Sequence, residues 1–291
     1  MRSHHGGGSP LAALFVMGSF FIFFTLLISL AYFWNYHNRK KLKKFMEKNG
    51  LNYKPSDPQI ISQFTPYYKI DLKTYDANSL KDIVTGSKNN IKITMFSTED
   101  KSEKGNVYRN KSRNTSFKDL IKVQNEEFNK FNNSFKNDKI ESLKMPDLLP
   151  LKLNAGSTIL KLEGDLNLPK FRLVSIWTPP AVMKKFLKIL EPELPGYAIK
   201  FTGDFGKYFY VDYYEDETII QIFNENLLND FVKKSLKAKG PVIGFPWQFI
   251  SLGNVVIVDF SMPTNADMKI NLLEIAIRLT LMFKNEAKQL A

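Results

Sequence analysis

The sequence predicts an α+β fold: one N-terminal transmembrane helix followed by antiparallel sheets with packed helices. Three observations predict it. An uncharged run of 24 residues, Leu11–Trp34, opens the chain. Strand pairs such as "DIVTGSKNNIKITMF" follow, joined by Gly/Asn-rich turns of hairpin type. Amphipathic helical patterns gather towards the carboxyl end instead of alternating with every strand, which favours α+β over a doubly wound parallel sheet.

Residues 1–10, "MRSHHGGGSP", read as a short extracytosolic tail without assignable function. Residues 11–37 form the predicted transmembrane helix. The run Leu11–Trp34 gives roughly 36 Å of helix, enough for a ~30 Å hydrocarbon core. Tyr32, Trp34 and Tyr36 gather at one end, as aromatics at a membrane interface do. The basic juxtamembrane segment, 38–48, carries Arg39, Lys40, Lys41, Lys43 and Lys44, positioned to meet lipid head groups. The other flank offers only Arg2. The positive-inside bias therefore places the amino terminus outside and the C-terminal domain in the cytosol. A cleavable signal is the competing reading, since Ser29-Leu30-Ala31 resembles a cleavage site. The apolar run is too long for that, and its leading region too weakly basic.

The remainder divides into a first lobe, 49–145, and a second, 146–291, with Pro146 and Pro150 stiffening the junction. In the first lobe Gly50 closes the preceding helix and a short helix starts near Asp57, burying Ile60, Ile61 and Phe64. The hairpin over residues 82–96 comes next. A polar loop spans Ser97–Ser116, a strand covers 117–123, and Phe128, Phe131 and Phe135 mark one helix face.

In the second lobe "TILKLE" and "FRLVSIW" read as strands, and Thr178-Pro179 starts a helix. "YAIKFT" and "KYFYVDYY" are strands around a Gly203–Gly206 turn. "ENLLNDFVKKSLKA" is an amphipathic helix and "NVVIVDF" a central buried strand. A long helix capped by Thr264 or Asn265 ends the chain, with Leu272, Ile275, Ala276, Leu279 and Met282 inward.

Composition excludes much chemistry. There is no cysteine, and the histidines are His4, His5 and His37. Beyond Asn38 no thiolate, imidazole base, catalytic triad or His/Cys zinc site can form. "GDFGK" lacks the other kinase motifs and reads as a turn. No Gly-rich phosphate loop occurs, and no cofactor is implied. The formal charge of +12 favours anionic surroundings, but no nucleic-acid motif accompanies the aromatic strands. Carboxylates leave one enzymatic alternative, a divalent-cation site drawing on Asp204, Asp212 and Asp216.

"NGLNYKPSDPQI", "DIVTGSKNNIKITMFSTED" and "MPDLL", following the apolar and basic segments, resemble a group of uncharacterised membrane-anchored bacterial proteins. In these a G-x-x-Y-x-P segment precedes a hairpin, and a Pro-containing junction leads to a second lobe. The resemblance covers about residues 49–150 and implies architecture without activity. The leading expectation is a membrane-anchored binding domain acting as adaptor, scaffold or accessory subunit of a membrane complex. Its expected partners are the lipid bilayer and other membrane proteins. Two alternatives stand beside it: the carboxylate enzyme, and a basic domain binding anionic lipid or nucleic acid.

Overall fold

The computed structural model describes residues 10–69, 80–98, 149, 151–153, 156–176, 198–215, 217–237, 242–261 and 264–290. The expected strand at 117–123, the Phe128–Phe135 helix face, the Thr178 helix, Pro146, Pro150 and Asp216 lie outside these residues.

The first described element is α1, Pro10–Lys48. Gly50, at φ +73°, ends it as expected. Leu51 N donates to Met46 O at 2.9 Å and Gly50 N to Glu47 O at 3.1 Å, the paired bonds of a Schellman cap. β1, Asn52–Lys54, follows. The helix expected near Asp57 is a 3₁₀ turn, Pro58–Gln63, capped by the Asp57 carboxylate accepting from Gln59 N at 3.1 Å. β2 is Tyr68–Lys69, β3 is Leu80–Lys88 and β4 is Ile91–Thr98. Asn89 and Asn90, both at positive φ, make the β3–β4 turn. Such φ values suit the right-handed twist of a hairpin.

Then come β5 (Leu151–Lys152), β6 (Thr158–Glu163), β7 (Lys170–Ser175), β8 (Ile199–Lys200) and β9 (Phe209–Tyr214). Residues Gly203–Gly206, expected as a plain turn, form one turn of helix before β9. A second 3₁₀ segment, Glu217–Ile222, leads into α2, Glu225–Leu236, capped by Asn224. β10 (Trp247–Leu252), β11 (Val255–Phe260) and α3 (Ala266–Leu290) complete the chain. The Asn265 side chain caps α3, accepting from Met268 N at 2.9 Å.

Among the described residues nine strands form one antiparallel sheet in the order β1-β3-β4-β6-β11-β10-β7-β9-β8, and β2 pairs with β5 in parallel. β11 stands at its centre, in line with the continuous apolar run Val255–Val258. β6 and β7 are consecutive here, yet the β10–β11 hairpin lies between them. β4 and β6, on either side of residue 146, are hydrogen-bonded neighbours in this sheet.

Each strand turns alternate residues to opposite faces. One face packs on α2, α3 and the end of α1, around Phe171, Phe223, Phe249 and Phe283, whose rings meet at 5.2–5.8 Å. The other face carries Ile159, Ile250 and Ile257 beneath Ile60, Phe64, Tyr68, Leu151 and Leu153.

The transmembrane expectation is corrected. Among the described residues no helix is long and apolar enough to cross a membrane. Tyr32, Trp34 and Tyr36 are exposed, and the basic residues after them belong to a helix segment docked on the domain. A single-pass topology with the amino terminus outside is therefore not supported.

Candidate functional site: the apolar arm and its basic root

α1 has two dissimilar halves. In the first, the described large side chains from Met17 to Tyr36 are exposed, including Phe21, Ile22, Phe23, Phe24, Leu27, Leu30 and Phe33. They occupy every side of the helix, so this half is an apolar arm rather than an amphipathic one. Thr25 satisfies its hydroxyl within the arm by donating to Phe21 O at 2.8 Å. Tyr32, Trp34 and Tyr36 stand exposed where the arm meets its root.

The second half, from Asn38, docks. Leu42 and Met46, one turn apart, are buried against the core that holds α3, with Phe45 beside them. The basic residues divide by their place on the helix. Arg39 reaches Asp82 at 3.7 Å, and Lys41 reaches Asp267 at 2.7 Å. Lys43 pairs along the helix with Glu47 at 3.7 Å. Lys40 and Lys44, one turn apart on the outer side, are exposed and have no ion-pair partner among the described residues.

Asp82 organises the root. It occupies a β-bulge between Lys81 and Val84 at φ +53°, a conformation that Asp tolerates better than most residues. Its carboxylate meets Lys269 Nζ at 2.5 Å and accepts from Tyr53 Oη at 2.7 Å. Burial pushes the Asp82 carboxyl up, but the Lys269 charge and hydrogen bond, the Tyr53 bond and Arg39 together bring it below its ordinary range. Burial, and then the Asp82 charge, drive the Tyr53 phenol well above its ordinary range. One carboxylate thus joins α1, β1, β3 and α3. Sequence reading missed it because a lone Asp in a strand carries no signal, and its partners lie 29 and 187 residues away.

Two carboxylates of the enzymatic alternative, Asp212 and Asp204, are occupied. Asp212 is buried and takes both Arg172 Nε at 2.7 Å and Nη2 at 2.8 Å. Asp204 pairs with Lys207 at 2.8 Å and Lys233 at 4.0 Å. Among the described residues no three His, Cys, Asp or Glu side chains gather as a metal site would require.

Two further polar groups lie under the opposite sheet face. Lys161 is buried beside Glu163 at 3.1 Å, with its ammonium 5.2 Å from the Phe64 ring centre and 5.7 Å from that of Tyr67. Asp259, also buried, meets Tyr68 Oη and Ser261 Oγ at 3.4 Å. Burial pushes its carboxyl up to about 6, opposed by hydrogen bonds from Gln248, Tyr68 and Ser261. Both support the short covering layer rather than an open cleft.

No protein-family model matches the chain, and no curated protein matches it. Among solved structures, the crystal structure of the mycobacterial trehalose monomycolate transport factor A, TtfA, aligns with a TM-score of 0.39 and 8% identity. The alignment covers 86% of this chain and 93% of that one.

Proposed function

We propose that this protein works by docking, as an adaptor or accessory subunit of a membrane complex, and that the α1 arm is its docking element. The observation that carries this reading is one continuous helix with a root buried in the domain and an arm exposing apolar side chains on all sides. An apolar surface of that extent marks an interaction site in a folded protein. Burying half of the arm's large side chains is worth roughly 10–20 kcal/mol. That matches the ~4–15 kcal/mol that association costs.

A partner that covers the arm must itself present an apolar surface to it, as packed helices of a membrane complex do. Tyr32, Trp34 and Tyr36 then mark the boundary of the covered region, with Lys40 and Lys44 just outside it.

Purification of the tagged full chain from a detergent extract tests the reading. A partner recovered at fixed stoichiometry, and lost when Leu27→Asp and Trp34→Asp are introduced together, is the expected result. Recovery of the chain alone, or a partner indifferent to both substitutions, overturns it.

A further inference from the structure

The outer side of α1 changes character along its length. Ile28, Ser29, Tyr32, Phe33 and Tyr36 line a shallow, open apolar groove on the surface of the helix, with small Ser29 between larger neighbours. Continuing by three and four residues from Tyr36 on the same side come Lys40, Lys43 and Lys44. Lys40 lies one turn, about 6 Å, beyond Tyr36, and Lys44 one turn further. Glu47 also lies on this side, 3.7 Å from Lys43, and neutralises it. Arg39 and Lys41 turn towards Asp82 and Asp267. Two uncompensated cations thus stand at the end of an apolar groove.

We infer that this side of α1 binds one anionic lipid, its acyl chain along the Ile28–Tyr36 groove and its phosphate at Lys40 and Lys44. Charge complementarity selects the occupant. An apolar peptide would make no use of the two exposed ammonium groups, and a free phosphate would leave the groove uncovered. The phosphate would accept charge-assisted hydrogen bonds from two flexible ammonium groups, whose point-charge character suits it. Leu27 and Trp34, in line with Leu42 on the other side of the helix, stay available to a protein partner. The inference rests on the reading of the arm as an apolar docking element and assigns it a second, smaller ligand.

The full chain in neutral detergent, photolysed with diazirine-bearing phosphatidic acid or with phosphatidylcholine of the same chain length, tests it. Cross-links mapped by mass spectrometry should fall on Ile28, Tyr32, Phe33 and Tyr36, with the anionic probe favoured. Lys40→Glu with Lys44→Glu should cut that preference by at least roughly 30-fold, from about fivefold per lysine removed. Ser29→Trp, which fills the groove, should reduce labelling by both probes and keep the anionic preference. Partner recovery in the pull-down should survive the lysine substitutions, so failure of the lipid site and failure of the docking reading give different results. Equal labelling by the two probes, or cross-links centred on Phe24, Leu27 and Trp34, overturns the assignment.

Discussion

Lys269 Nζ lies 2.5 Å from Asp82 Oδ2, joining the first turn of α3 to a bulge in β3 across 187 residues of chain. Both side chains are largely withdrawn from water. Removing one partner therefore leaves a charge that the surroundings cannot solvate.

Lys269→Met is expected to destabilise the fold by about 3–5 kcal/mol, and Lys269→Met with Asp82→Asn by less than the sum of the two single changes. Denaturant unfolding of the three variants checks this. Asp82 has its folded pKa below the ordinary 3.8, so its contribution is complete above 3.8 and is lost as pH falls through the folded value. Asp82→Asn should flatten that acid loss. An unchanged acid limb would show that Asp82 is not the responsible group.

Asp259 has the opposite sign. Its folded carboxyl titrates near 6 against an ordinary 3.8, so the folded state holds more protons between those values. Stability should fall as pH rises from about 4 to beyond 6, by about 3 kcal/mol in total. Asp259→Asn should raise Tm at pH 8 and leave it nearly unchanged at pH 4. Melting curves at the two pH values decide the matter, and an equal gain at both would assign the effect to packing.

The root of α1 depends on apolar contact more than on its ion pairs. Met46→Ala, at a fully buried position, should cost about 2–5 kcal/mol. Lys41→Ala breaks a pair whose side chains are 40% and 36% exposed and should cost at most about 1 kcal/mol. Amide exchange over residues 38–48 should speed up strongly in the first variant and little in the second.

Gly206 closes the helical turn before β9 against backbone. A Cβ there would stand 1.9 Å from Phe201 O, a contact that side-chain rotation cannot relieve. Gly206→Ala should destabilise by roughly 1–3 kcal/mol or more. A Tm equal to that of the parent chain would mean the turn can move.

Local readings succeeded where neighbours in sequence are neighbours in space. The Asn89-Asn90 hairpin, the Gly50 cap, the Asn265 cap and the inward stripe Leu272, Ile275, Ala276 and Leu279 rest on φ preferences and short periods that the chain encodes within a few residues. The α+β class followed from the same signals. Gly203–Gly206 shows the limit, since "GDFG" suits a plain turn and one turn of helix equally well. The membrane-spanning reading is overturned, since among the described residues no helix is long and apolar enough to cross a membrane and the basic segment that would flank it belongs to the domain.

The residues themselves dictated an uncharged opening helix, a cationic segment after it and the absence of His and Cys chemistry beyond Asn38, because these depend on identity and spacing alone. Folding assigned the roles. Arg39 and Lys41 turn inward to Asp82 and Asp267 while Lys40 and Lys44 face out. Asp212 is taken by Arg172, and the β10–β11 hairpin enters between β6 and β7. Such pairings join groups far apart in the chain, and a charge acquires its partner only when the sheet brings that partner within a few ångströms.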